Sequence, residues 1–129
     1  MYAWGLGDSG QLGLGSRSTK APTPAKVEAL SGCGIVQLSC GQYHTLALNE
    51  AGEVFSVGFG GSFINGAGGL GHGDRTQLET PAQLSAFGSA TSDVGIAAAT
   101  VSAGTRASEH ACTRARAKTI CSDSYLRLD

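Results

Sequence analysis

The sequence predicts an all-β fold built from repeated antiparallel sheets, and three observations carry that expectation. Twenty of its 129 residues are glycine, about twice the usual share. Its apolar residues alternate with polar ones in short runs rather than recurring at helical spacing. Four blocks of sequence return, in the same order, further along the chain.

The blocks define the organisation, because a repeat sets the fold before any single element does. Tyr2-Ala-Trp-Gly5 returns as Phe55-Ser-Val-Gly58, an offset of 53 residues. Gln11-Leu-Gly-Leu-Gly15 returns as Gly69-Leu-Gly-His-Gly73, an offset of 58. Thr23-Pro-Ala-Lys-Val-Glu-Ala-Leu30 aligns without gaps on Thr80-Pro-Ala-Gln-Leu-Ser-Ala-Phe87 at 57, and Leu38-Ser-Cys-Gly41 on Val101-Ser-Ala-Gly104 at 63. Loops absorb the drift between blocks.

Inside the better-preserved unit the elements read as strands. Val36, Leu38 and Cys40 alternate with Gln37 and Ser39, the period of two that places one set on one face. His44, Leu46 and Leu48 share a face, with Thr45 and Ala47 on the other. Asn49-Glu-Ala-Gly52 is a turn signal, since its glycine can take positive φ without a Cβ clash. The strand Glu53–Val57 then returns antiparallel. A small meander of this kind cannot bury both faces alone, whereas radial stacking covers each sheet with its neighbour. The expected architecture is about two blades of a β-propeller, each a four-stranded antiparallel sheet, with an irregular C-terminal tail. Two unpaired propeller edges would leave the isolated chain marginal or prone to aggregate.

These residues resemble the repeats of the regulator of chromosome condensation family. The signature is an aromatic-x-Trp-Gly, then Gly-Gln-Leu-Gly-x-Gly, a proline segment, Gly-x-x-His-Thr-x-x-Leu and Gly-x-Val-x-x-x-Gly. The first unit supplies Tyr2, Trp4, Gly5, Gly10, Gln11, Leu12, Gly13, Gly15, Pro24, Gly41, His44, Thr45, Leu48, Gly52, Val54 and Gly58. In the second unit Leu70 and Gly71 occupy the places of Leu12 and Gly13. The resemblance implies a seven-bladed propeller, of which residues 1–104 would be a part: 1–58 as one unit and 55–104 as a second. The second unit carries an insertion of five residues within the loop 59–69. After Gly104 the pattern stops, with Ala107 where His44 has its equivalent. Residues 105–129 read as a non-repeat tail, disordered or mistranslated, of the kind a frameshift or retained intron produces.

Composition narrows the function classes. Net charge is −1, with no clustered Lys and Arg to track a phosphate backbone. Residues 1–104 hold four basic and seven acidic side chains, whereas residues 105–129 hold five basic and three acidic. No direct nucleic-acid contact is therefore expected from 1–104. There is no secretory signal, and no apolar run approaches the roughly 20 residues that span a bilayer. Four cysteines without a signal peptide suit reduced thiols. The expected location is intracellular, in cytoplasm or nucleus.

Several motifs invite chemistry and are weighed against plainer readings. Gly5-Leu-Gly-Asp-Ser-Gly10 and Gly66-Ala-Gly-Gly-Leu-Gly71 fit G-x-G-x-x-G. A dinucleotide site needs a helix next, and the Gly-rich continuations oppose one, so both read as turns and no cofactor is expected. Cys33, Cys40 and His44, with His110, Cys112 and Cys121, lack zinc-module spacing. Cys40 instead lies on the apolar face of its strand, and no metal is expected. His44 has no nucleophile motif beside it and reads as a histidine hydrogen-bonding a neighbouring backbone loop. Trp4 is the sole tryptophan, against the clustered tryptophans that a photoreceptor of this family uses as chromophore.

Two loop features remain. Phe63 and Ile64 stand in the inserted, glycine-flanked segment, either as interface anchors or folded back over the blade edge. His72, Asp74 and Arg75 form a polar turn that is either a contact or simply solvated. The leading expectation is a non-enzymatic protein-interaction module with these five residues as its contact loop. The alternative that the resemblance implies is guanine-nucleotide exchange on a Ran-type small GTPase, or a chromatin-associated regulator. The partner is then a protein, with no small-molecule substrate.

Overall fold

A computed structural model describes residues 1–15, 20–62, 66–67, 70–85 and 124–127. These fold as β-structure with a single 3₁₀ turn at Glu28–Leu30 and no α-helix among the described residues. One sheet contains β1 (Tyr2–Leu6), β2 (Lys20–Lys26) and β9 (Ser124–Arg127) in the order β2-β1-β9. The other is a four-stranded antiparallel meander of β3 (Ile35–Cys40), β4 (His44–Asn49), β5 (Val54–Gly58) and β8 (Leu78–Gln83), in that order. The inserted segment forms a small hairpin, β6 (Gly61–Ser62) against β7 (Gly66–Ala67).

The repeat is visible in the pairing register. Tyr2, Ala3 and Gly5 pair with Lys26, Ala25 and Ala21. Phe55, Ser56 and Gly58 pair with Gln83, Ala82 and Leu78, which is the same register 57 residues on along β8. Both ladders slip at the same place, opposite Trp4 and opposite Val57. The extra residues there include Pro22 and Pro24 on β2 and Pro81 on β8. Proline cannot donate to a ladder and is therefore confined to edge strands and bulges; β2 and β8 are both sheet edges.

The repeat as read from the sequence does not coincide with a sheet. Residues 1–27 build β1 and β2 of one sheet, and residues 35–58 supply the first three strands of the next. The described residues thus contain one complete four-stranded blade and the two-stranded portion of another, to which β9 adds a third strand. Residues 105–123, within the segment expected to be an irregular tail, lie outside the described residues, but 124–127 pair with β1.

The core lies between the sheets. Ala3 and Ala21 from the first sheet meet Leu38 and Ala47 from the second, with Leu12, Val27 and Leu30 filling the space between them. Trp4, Cys40 and Phe55 pack on this cluster. The far face of the complete blade buries Leu46, Leu48, Val54 and Leu84 together. Along β4 the faces therefore alternate as expected, Ala47 toward the first sheet and Leu46 and Leu48 away from it. On β3 the alternation is corrected at its first residue. Val36 is 46% exposed, and Ile35 packs on the core in its place. The cause is a register shift between Ile35 and Gln37 against β4: a bulge re-aims the side chains that precede it.

The turn at Asn49–Gly52 forms as expected. Gly52 has φ +81° and donates its N–H to the Asn49 carbonyl at 3.1 Å. The Asn49 side chain closes the turn from within, its Oδ1 accepting from Glu53 N at 2.8 Å and its Nδ2 donating to Glu53 Oε2 at 2.6 Å.

Candidate interaction surface

Meander topology gathers the variable segments at one end. The β3–β4 connection (41–43), the β5–β8 connection (59–77) and the β1–β2 connection (7–19) all leave their sheets at that end. Two hydrogen bonds tie them together there. Phe59 N donates to the Tyr43 carbonyl at 2.8 Å, and the Thr45 hydroxyl at the start of β4 donates to the Gln11 carbonyl at 3.0 Å.

The repeat-motif residues build this end as scaffold. Gln11 is buried, its Oε1 accepts from Ser9 N at 2.9 Å and its Nε2 approaches Asp8 Oδ1 at 3.4 Å. It thereby shapes the Gly7–Gly15 loop and presents its own carbonyl to Thr45. Leu12 inserts into the inter-sheet cluster, and Leu70, its counterpart in the second unit, is equally buried. A Cβ on Gly10 would stand 2.8 Å from the Leu78 carbonyl oxygen, so the loop touches the backbone of β8. Gly13 leans on Val27, and Gly71 leans on Leu84 in the same way. Trp4 is half-buried against the core, Gly5 pairs with Ala21, and Gly41 donates its N–H to the His44 carbonyl at 2.8 Å. His44 is buried opposite Gly58. The G-x-G-x-x-G stretch at residues 5–10 ends in a turn, Gly10 N donating to the Gly7 carbonyl, with no helix after it. The stretch at 66–71 lies partly outside the described residues.

What this end exposes is aromatic. Tyr43 is 43% exposed, and its ring stands edge-on to that of Phe59, with centroids 6.2 Å apart and planes at 75°. Such a T-shaped pair suits the quadrupoles of both rings. The pair was not singled out from the sequence, although a signal existed: Tyr43 precedes His44 and Phe59 follows Gly58, and His44 and Gly58 are partners across β4 and β5.

Of the five expected contact residues, His72, Asp74 and Arg75 belong to this end, and Phe63 and Ile64 lie outside the described residues. Gly61 and Ser62 pair with Ala67 and Gly66, so the two anchors belong to the three residues that β6 and β7 bracket. Asp74 is exposed, and its Oδ1 accepts from Thr76 N at 3.0 Å, shaping the turn that also holds exposed Arg75. His72 has a more internal role. Its Nε2 lies 2.9 Å from the Ser56 hydroxyl, which is 2.9 Å from the Leu70 carbonyl. A carbonyl only accepts, so the arrangement that satisfies both contacts has Ser56 donating to Leu70 and His72 donating to Ser56. The serine proton is committed to a backbone oxygen and the imidazole is a donor, so the pair is an anchor for the loop and not a nucleophile with its base.

Ser56 is completely buried, yet its counterpart in the first unit is Ala3, so an apolar residue fits this place in the sheet. Ser56→Ala should fold, lose about 1–2 kcal/mol for the orphaned Leu70 carbonyl, and release the turn. Backbone amide exchange at residues 70–73 should accelerate while β4 stays protected. Unaltered exchange at 70–73 would show that other contacts hold the turn.

Cys40 is half-buried on the core, with its Sγ 3.9 Å from the Thr45 hydroxyl, and Cys33 lies within 3.9 Å of the Ala29 carbonyl. Among the described residues no group of three or more His, Cys, Asp or Glu side chains is placed to hold a metal. His110, Cys112 and Cys121 lie outside them. No helix of the described residues is long and apolar enough to cross a membrane.

Comparison with known proteins agrees with this geometry. Sequence models of the regulator of chromosome condensation (RCC1) repeat match residues 1–48 and 35–63. The ultraviolet-B receptor UVR8 of Arabidopsis thaliana is 41% identical over 86 residues, 66% of this chain and 18% of that protein. Human HERC6, described as a probable E3 ubiquitin-protein ligase, is 47% identical over 58 residues, 45% of this chain and 6% of that one. Among solved structures, Prp20p from Saccharomyces cerevisiae, described with its binding properties to Gsp1p and histones, superposes with a TM-score of 0.50 at 30% identity. That match covers 64% of this chain and 19% of Prp20p. The chain therefore spans less than a fifth of the length of these relatives.

Proposed function

We propose that this chain, which belongs to the regulator of chromosome condensation (RCC1) repeat family, uses the loop end of its sheets to bind another protein. Strand side chains are spent on packing between sheets, so the loops are the surface left to vary. The observation that carries the reading is the exposed Tyr43–Phe59 pair beside the inserted β6–β7 hairpin. Aromatic side chains are enriched among the residues that dominate binding energy. Phe63 and Ile64 would extend the apolar patch as anchors, and His72, Asp74 and Arg75 would form its polar rim. The described residues take no catalytic part in this reading, and its place of action is within the cell, in cytoplasm or nucleus.

The test is recovery of partners by affinity capture, followed by titration of whichever partner is recovered. A Phe63→Asp/Ile64→Asp double variant, and separately Tyr43→Asp, should weaken binding by about thirtyfold, the scale of one 2 kcal/mol anchor. Lys26→Glu, an exposed change on β2, should leave it unaltered. Equal affinity of all three variants would dismiss the loop end as the contact surface.

A second reading is favoured by the likeness to Prp20p, which is described with its binding to Gsp1p and histones. It is guanine-nucleotide exchange on a Ran-type small GTPase, or a chromatin-associated role. Exchange needs no nucleophile, only a surface that binds the empty GTPase better than the loaded one. The protein at micromolar concentration should then speed release of labelled GDP from such a GTPase. No acceleration would remove this reading and leave the first in place.

A further inference from the structure

The strand that joins the first sheet from the far end of the chain sits in a register that the complete blade already defines. In that blade, β4 flanks β5 with His44 opposite Gly58, Thr45 opposite Val57, Leu46 opposite Ser56 and Ala47 opposite Phe55. In the first sheet, β9 flanks β1 with Ser124 opposite Gly5, Tyr125 opposite Trp4, Leu126 opposite Ala3 and Arg127 opposite Tyr2. β1 and β5 are equivalent, since Gly5 and Gly58 close the same repeat block and both strands pair with proline-bearing edge strands in the same register. Ser124, Tyr125, Leu126 and Arg127 therefore stand where His44, Thr45, Leu46 and Ala47 stand in the intact blade. Leu126 shares its register place with Leu46, with an apolar residue in the same position of both strands.

We infer that the outer edge of β1 is a strand-acceptor site and that residues 124–127 are its intrachain occupant, standing in for the strand the first sheet lacks. An uncovered β1 would present a row of unpaired N–H and C=O groups, the template on which extended segments add. The hydrogen bonds of a ladder belong to the backbone, so the site reads an extended segment with few demands on sequence. Its main preference is an apolar residue opposite Ala3, the residue whose own side is sealed against the core. Nothing about the site requires its occupant to be covalently attached.

The full chain carrying Tyr125→Pro and Leu126→Pro tests this. In an antiparallel pair consecutive amides point to opposite sides, so whichever of the two faces β1 loses its donor. The β1 amides that point away from β2 should exchange with solvent at least tenfold faster than in the unchanged chain, while those of β4, internal to the other sheet, stay protected. Quenching of the single tryptophan, Trp4, by acrylamide should rise in parallel. A synthetic peptide of residues 122–129, which contains no tryptophan, should restore slow exchange and low quenching when added in excess, and a scrambled peptide should not. If β4 loses protection as well, rescue by the peptide still decides: recovery of both sheets supports the acceptor site, and no recovery overturns it. Unaltered β1 exchange in the double variant, or equal rescue by the scrambled peptide, also overturns it. The partner-binding surface at the loop end is read out separately, so either inference can fail without the other.

Discussion

Gly58→Ala is expected to be the most damaging single substitution in the described residues. Gly58 has φ +114° at the last position of β5. A Cβ there would meet the Tyr43 carbonyl oxygen and stand 2.7 Å from the His44 Cα. Those atoms are backbone of the paired strand and cannot swing aside as a side chain would. Relief requires breaking the His44–Gly58 pair and the Phe59 N to Tyr43 O hydrogen bond together. Strained dihedral and overlap sum to a loss of about 3 kcal/mol or more, a large share of the whole stability of an ordinary domain. The control is Gly32→Ala, where φ is also positive, +79°, but no atom lies within 4 Å of the added methyl group. Urea unfolding of the two variants separates conformational strain from collision. Equal midpoints would mean that the approach of β4 to Gly58 is not a constraint.

Leu12→Ala is expected to be the second largest. Leu12 is 2% exposed and contributes the only loop side chain between residues 7 and 15 that is fully inside the cluster joining the two sheets. Removing it opens a cavity between Ala3 and Val27 on one side and Leu38 and Ala47 on the other. Losses of about 2–5 kcal/mol are usual for such truncations. The void lies between sheets and not within one, so amide exchange should accelerate in β1 and β3 together. Leu6→Ala, at a position 39% exposed, should change stability by less than about 0.5 kcal/mol. Accelerated exchange confined to β1 would show that the two sheets are not coupled through Leu12.

The sheets were legible in the sequence where the repeat could be aligned with itself. The offset of 57 between the two proline segments is the offset between their partners on β1 and β5, to within the four residues that the inserted loop and its drift account for. Turn chemistry at Asn49–Gly52 and the alternation along β4 were readable for local reasons, a glycine needing positive φ and a strand with two unlike buried faces. Val36 was misread because a bulge carries no compositional mark and simply shifts which residue faces inward. β9 was invisible because four residues without a period carry no strand signal; their place is set by the edge they cover. The Tyr43–Phe59 pair escaped because each ring is unremarkable along the chain, and they become neighbours only through the pairing of His44 with Gly58. Ser56 and His72 are sixteen residues apart and meet only because the inserted segment folds into a hairpin of its own and returns the chain to β5.

The stagger between repeat and sheet has a bearing on how such chains grow. Because each unit contributes the last strands of one sheet and the first strands of the next, a duplicated unit is a rivet and not a plate. Copying it in tandem gives every new half-sheet a complementary half on its neighbour, and the covalent seams fall inside the sheets instead of between them. A gene can lengthen this way one unit at a time, and every intermediate leaves the same two unfilled half-sheets at its ends, whatever the number of copies.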